Sequence, residues 1–280
     1  MRGSLVEILR NAWRSPSGRW GALTLLVVSL LALAGPLVVQ DPAAMPNVMA
    51  GAEAPSWAHP LGTDPLSRDI LARTIHGARV SLGIAALAVA LAILLGTSIG
   101  ATSGYLGGWV DAAIMRTVDA GLAVPRLIVL LLLVLVWERI PTLALALVIG
   151  STGWLGTCRM VRGEVLRLRE MEFIRAARAL GASRRRIIAR HLVPNAAGPI
   201  AVSATLGVAD VILLEAGLSF LGMGVQPPTP SWGGMILDAR PVLLSAPWTS
   251  LAPGIAILVT VLAVNLVGDA LQRALDPRSA

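Results

Sequence analysis

Six apolar runs, each close to the ~20 residues that a helix needs to cross a bilayer, set the limits on what this chain can become. They are Trp20–Val39, Val80–Ala101, Val118–Trp137, Pro141–Cys158, Ala197–Leu218 and Leu251–Leu271. Hydrocarbon offers no water to backbone N–H and C=O groups, so such runs must satisfy those groups internally, as helices do. The expected fold is therefore all-α: a polytopic membrane protein of six transmembrane helices, with short helices in the connecting segments. A mean hydropathy of +0.75 and a composition 55% hydrophobic and 14% charged over 280 residues exclude an ordinary soluble domain. A cleaved leader competes for the first run only, because Ala32-Leu33-Ala34 has the form of a cleavage site.

Charge supplies the orientation. All 23 basic residues are Arg. Without Lys there is no Gly-Lys-Ser/Thr phosphate loop and no Schiff-base chemistry, so the chain does not hydrolyse ATP by a P-loop. Single Cys158 permits no internal disulfide and no Cys-based metal cluster, and neither a metal nor a bound cofactor is expected. Residues 159–191 hold ten Arg against Glu164, Glu170 and Glu172. Their balance of +7 equals that of the whole chain, so everything else sums to zero. This island cannot sit in lipid and must be a soluble arm between the fourth and fifth spans.

Six spans put the arm and both termini on one side, with 17 Arg. The other side has five (Arg68, Arg73, Arg79, Arg139, Arg240), and Arg126 falls within a span. By the positive-inside rule the arm and both termini are cytoplasmic. That sidedness accounts for a pI near 11.3 without a nucleic-acid partner.

Within the arm, helical spacing places Phe173, Ala176, Ala177 and Leu180 on one face. Gly181 reads as a C-cap glycine and Ser183 as the cap of a second helix. Ile187, Ile188 and His191 line that helix's apolar face, and Pro194 is expected to stop it. Arg184, Arg185 and Arg186 occupy its first turn, against the helix dipole, which points to an acidic partner or lipid headgroups. Periodicity alone explains the arm equally well as a solvated loop.

The run FIRAARALGASRRRIIARHLVPN resembles the EAA loop of binding-protein-dependent ABC importer permeases, matching at Ala176, Ala177, Gly181 and Pro194. It departs at Arg175, where the family has Glu, at His191, where it has Ile, and at Val193, where it has Leu. The resemblance implies a type I ABC importer permease fold in a bacterial cytoplasmic membrane. It also implies a coupling helix seated on a cytoplasmic ATPase, involving Arg175, Ala176, Ala177, Gly181, Ala182, Ser183, His191 and Pro194. Further stretches resemble the C-type permeases of dipeptide, oligopeptide and nickel importers. His59–Leu82 matches at Gly62, Thr63, Asp64, Arg68, Asp69, Gly77, Ala78, Arg79 and Ser81, with Ser67 where a Gly is usual and hence a less tight turn expected. Glu215–Ile236 is similar almost residue for residue, and the ending matches at Pro253, Gly254, Asn265, Gly268, Asp269 and Asp276-Pro277-Arg278.

By this resemblance the implied partners are a homologous second permease, two cytoplasmic ABC ATPases that bind the ATP and Mg, an extracytoplasmic solute-binding protein, a peptide substrate and membrane lipid. The chain then divides into residues 1–79 with the first span and outer segment, a transmembrane domain at 80–275 carrying the coupling loop 164–195, and a tail at 276–280.

Polar residues inside the spans are the other functional flag. Pro125 and Arg126 interrupt the third span, and an Arg there is costly unless it faces a cavity or a partner or snorkels to the inner end. Asp210 and Glu215 share the fifth but stand five residues apart, on different helix faces, which argues against a paired-carboxylate acid/base site. With Asn265 and Asp269 they are candidates for a translocation path or a subunit interface. His59, Asp64 and Asp69 fit a hydrogen-bonded outer loop better than a metal site. Gly96, Gly100, Gly104 and Gly108 recur every four residues, the pattern of closely packed helices. An embedded enzyme would need converging catalytic groups, and no HExxH or GxSxG run occurs. A channel or secondary transporter would leave the arm without a purpose. The lack of a His/Cys/Met cluster in the spans favours peptide over nickel as cargo.

Overall fold

The structure, a computed structural model, describes residues 5–39 and 51–275, with side chains from residue 10 onward. The Asp276-Pro277-Arg278 ending, Arg2 and the start of the outer segment at Asp41 lie outside the described residues. Among the described residues the regular structure is helical, and the one β-type pairing is an isolated bridge between Thr63 and Asp69.

Helix α1 (Leu5–Arg14) leads through Ser15 into α2 (Pro16–Val38), whose first turn Ser15 caps by accepting a bond from Gly18 N at 3.1 Å. α2 lies along α3 (Ile70–Leu106) and along the last helix, α12 (Trp248–Leu275). α3 has 37 residues, about 55 Å, and so overreaches a ~30 Å hydrocarbon core at both ends. The apolar count foresaw only Val80–Ala101. Asp69 extends the helix outward by capping it, accepting from Ala72 N at 2.8 Å.

The tightest seam joins α3 to α6 (Thr142–Leu168), and glycines make it possible. A Cβ on Gly100 would lie 2.4 Å from the Cys158 carbonyl, and one on Gly96 or Gly104 would strike Thr157 or the Arg162 carbonyl. The small-residue stripe thus packs at three positions. Gly108 does something else: it follows the turn at Gly107, has φ +58° and meets nothing within 4 Å.

The expected third span, Val118–Trp137, is corrected. Asp111 and Arg116, ahead of that run, sit in a helix, α4 (Gly108–Ala123), which also takes in its first residues. α5 (Arg126–Val134) departs from it at 86°. Pro125 disfavours the helical region for the residue before it, and Val124 is extended, φ −97° and ψ 132°. Among the described residues five helices are long and apolar enough to cross a membrane, six if the bent α4–α5 pair counts as one span. The fourth span is also longer than foreseen, since α6 continues past Cys158 into the arm as far as Leu168.

After the arm come α10 (Ala197–Phe220), the short outer α11 (Trp232–Ala239) and α12. One buried cluster, including Ile84, Ala88, Leu130, Leu145, Ile149, Ile212, Leu218 and Trp232, holds the spans together. A second, with Ala101, Val161, Val165, Leu168, Ile174, Ile187, Leu192 and Ala196, fastens the arm to the inner ends of α3 and α6.

Candidate functional site: the arm, its joint and the cavity behind it

The arm is built from α7 (Glu172–Ala179), α8 (Arg184–Ile187), a π-helical turn (Ile188–Leu192) and the three-residue α9 (Val193–Asn195). Gly181 adopts φ +78°, the left-handed conformation a helix-ending glycine supplies without strain. Ser183 accepts from Arg186 N at 3.4 Å, so both capping expectations hold.

The burial pattern corrects the rest. The one buried residue of α7 is Ile174, while Phe173 and Leu180 stay exposed, Leu180 at 88%. Arg175 and Ala176 are exposed, and Ala177 and Ala182 half-buried. In the second helix Ile187 and Leu192 are buried, whereas Ile188 and His191 are half-buried. Pro194 does not end the helical path. It stands in the first turn of α9, where a missing N–H costs nothing, and a wide π turn absorbs the mismatch ahead of it.

Five contacts make the joint between the arm and the spans, and none was legible as such in the sequence. Arg162 on α6 grips Asp111 on α4 with two bonds of 2.6 Å, and Ser103 on α3 donates to the same carboxylate at 2.6 Å. Arg159 pairs with Asp119. Arg169 donates to the Gly104 carbonyl at 3.0 Å, and the Arg178 guanidinium lies 5.6 Å from the centre of the Tyr105 ring. Three helices and the arm thus meet at Asp111. The available signal was an acid in a short connection opposite an Arg island, but sequence cannot say which of ten Arg answers it.

At the opposite end, Asp64 is 2% exposed and accepts from Leu66 N, Arg68 N, Arg68 Nε and Arg73 NH1, while Arg73 NH2 reaches Asp238 at 2.8 Å. His59 Nδ1 lies 2.8 Å from Asp69. This is a hydrogen-bonded loop, as expected. Ser67, however, closes its turn tightly, donating from N to the Asp64 carbonyl at 2.8 Å with φ +57°. The Glu215–Ile236 stretch folds against it: Trp232 Nε1 donates to the Thr74 carbonyl at 3.0 Å.

Asp210 and Glu215 do face different surroundings. Glu215 is 1% exposed and accepts from Ser219 at 2.7 Å and Ser81 at 3.3 Å, tying α10 to α3. The Asp210 side chain is 58% exposed and pairs with Arg126 at 2.5 Å across a cavity of about 340 Å³. Asn265 and Asp269 are exposed on α12. Asp269 opens beside Gln272, Arg273 and Leu275, and neither residue lines that cavity.

Residues 92–280 match the family described as the binding-protein-dependent transport system inner membrane component. The chain belongs to this family. It is 41% identical over 277 residues to the oligopeptide transport system permease protein OppC of Mycobacterium bovis, covering 98% of this chain and 93% of that one. It is 40% identical over 259 residues to the dipeptide transport system permease protein DppC of Alkalihalophilus pseudofirmus and to OppC of Bacillus subtilis, in each case covering 92% of this chain and 84% of the relative. The protein is thus a multi-pass permease subunit with the type I ABC permease fold, working in a transport system that includes ATPase and binding-protein components.

Proposed function

We propose that this chain is one of two homologous permease subunits of an importer for dipeptides or oligopeptides, and that α7 with the Gly181 bend seats on one of two cytoplasmic ATPases. The ATP and Mg belong to those ATPases, and an extracytoplasmic solute-binding protein delivers the peptide. Supporting this are the names of the relatives and, on the molecule itself, the unusual build of the arm. Phe173 and Leu180 stay exposed beside Ala176, where small side chains allow close approach, while Ile174 anchors the opposite face. A loop that merely obeyed the positive-inside rule would have no reason to hold apolar side chains out in water. The Arg island supports the orientation with arm and termini in the cytoplasm.

The observation that carries the reading is the exposed face of α7 mounted on the Asp111–Arg162 joint, because a force applied there reaches α3, α4 and α6 together. In this reading ATP-driven closure of the ATPases shifts the arm, and the joint passes that shift to the spans.

Cross-linking tests it. In a Cys158→Ser background, Ala177→Cys and Gly181→Cys are expected to capture an ATPase subunit with a short bifunctional maleimide. Failure of both in an assembled, transporting complex overturns the docking assignment. Uptake of labelled dipeptide against nickel separates the two cargo classes.

A further inference from the structure

The Arg126–Asp210 pair differs from the buried acid–arginine cluster at Asp64. Asp64, sealed at 2% exposure, has four donors and no acceptor capacity to spare. Asp210 sits near the middle of the 24-residue α10, is 58% exposed, and among the described residues has its ion pair with Arg126 alone. A carboxylate so exposed at that depth cannot face lipid and must face water or a partner subunit.

Arg126 is held from behind. Its Nε donates to Thr152 Oγ1 at 3.1 Å and its NH2 to the Ile149 carbonyl at 2.8 Å, both on α6, leaving NH1 for Asp210. Gly153 makes room for the guanidinium: a Cβ there would come within 2.8 Å of Arg126 NH2.

The walls fit a small zwitterion. The cavity of about 340 Å³ carries one positive and one negative group among Thr152, Thr157, Ser203 and small residues such as Gly156 and Gly207. Its size falls in the ~300–1,000 Å³ range of small-molecule sites. A second cavity of about 340 Å³ opens at the bend of α4 and α5 and is lined mostly by apolar groups, among them Val124, Pro125, Val129 and Leu155. Leu122, Arg126 and Thr152 line both. One space suits charged termini, and the adjoining one suits side chains of any shape.

We infer that Arg126 and Asp210 form a zwitterion-reading site in the translocation path, Arg126 taking the α-carboxylate and Asp210 the α-ammonium of the passing peptide. The inference rests on the peptide reading above. Binding exchanges one ion pair within the protein for two with the substrate, so no charge stands unpaired at mid-membrane depth. The free NH1 group of Arg126 can give a carboxylate a charge-assisted bond, and the open acceptor positions of Asp210 match an ammonium. α5 begins at Arg126, immediately after the 86° break, which lets the guanidinium withdraw from Asp210 without unfolding a helix.

The test uses the complete transporter in proteoliposomes with its own binding protein. Uptake is compared for a free dipeptide, its C-terminal amide and its N-acetyl form. All permease variants share one binding protein, so its own preferences divide out when each variant is referred to wild type. Arg126→Gln is expected to lower the preference for the free carboxylate over the amide about tenfold, and Asp210→Asn to do the same for the free ammonium over the acetyl form. The conservative Arg126→Lys and Asp210→Glu keep the wild-type preferences. They also serve as the comparison if the neutral variants fail to assemble, since loss of preference in a charge-retaining variant overturns the site. Binding-protein-stimulated ATP hydrolysis reports that the complex is intact. Unchanged preferences alongside reduced uptake overturn the inference in favour of a structural pair, as does wild-type uptake by the swapped Arg126→Asp/Asp210→Arg variant. If wild type itself carries another solute and no peptide, the peptide reading fails first and visibly.

Discussion

Gly181 is where one residue's conformation carries the largest consequence. Its φ of +78° lies in the left-handed region, and open space surrounds it, so sterics would admit a side chain but the backbone would not. A β-branched residue there costs about 1–2 kcal/mol of strain or forces the bend between α7 and α8 to change. Gly181→Val is expected to leave the spans inserted while separating ATP hydrolysis from uptake, measured as ATP consumed per peptide imported. Normal stoichiometry at normal expression counts against the proposed role. Ser67 holds the same kind of backbone, φ +57°, without being glycine, and recovers part of the cost by donating its hydroxyl to the Gly51 carbonyl at 3.1 Å. Ser67→Gly therefore exchanges strain for a hydrogen bond, and the melting temperature of the purified complex should move by no more than the equivalent of ~1 kcal/mol. At this scale the sequence was a good guide wherever the signal was local. The caps at Gly181 and Ser183 needed only their neighbours. Which face of α7 is buried was not legible, because Phe173 and Ile174 are both apolar and only the wall formed by Val161 and Val165 selects Ile174.

Between elements, the α3–α6 seam and the Asp111 joint do different work. The seam is a matter of approach distance. Gly100→Leu would drive its Cβ against the Cys158 carbonyl, and because backbone yields less readily than a side-chain tip, about 1–3 kcal/mol or more of packing is lost. Loss of the folded protein from detergent extracts on mild heating is the expected readout. The joint is a matter of charge. Asp111→Asn keeps the shape and the Ser103 contact but loses one Arg162 bond, since an amide NH2 cannot accept, and removes the charge from the other, at a cost of about 1–3 kcal/mol in total. The expected outcome is normal assembly with ATPase, reduced uptake and elevated basal ATP hydrolysis. Unaltered coupling would mean that force passes through the buried cluster around Ile174 and Ile187 instead. The stripe of glycines announced the seam because a four-residue repeat is a local pattern. The joint joins positions 103, 111, 162 and 169, and no periodicity links those.

For the molecule as a whole, sidedness is the property most open to a single measurement. With Cys158→Ser as background, Ser183→Cys lies exposed in the arm and is expected to react with a membrane-impermeant maleimide in inverted vesicles but not in sealed spheroplasts. The reverse result would overturn the orientation taken from the Arg count. That count is robust because it sums over loops and does not depend on where any one helix ends.

From the sequence alone came the helical class, the number of crossings and the place of the arm's bend. All of these follow from transfer of apolar runs out of water and from the conformational preferences of single residues, which neighbours in sequence settle. Pro125 and Arg126 marked the interruption of the third crossing, but tertiary structure alone set its angle of 86° and decided that Asp111 gathers three helices. It also decided that Arg126 meets Asp210 across 84 positions of chain at the wall of a cavity. Those are partnerships between residues far apart along the chain. Several arginines could have met each acid, and only the packed geometry selects the one that does.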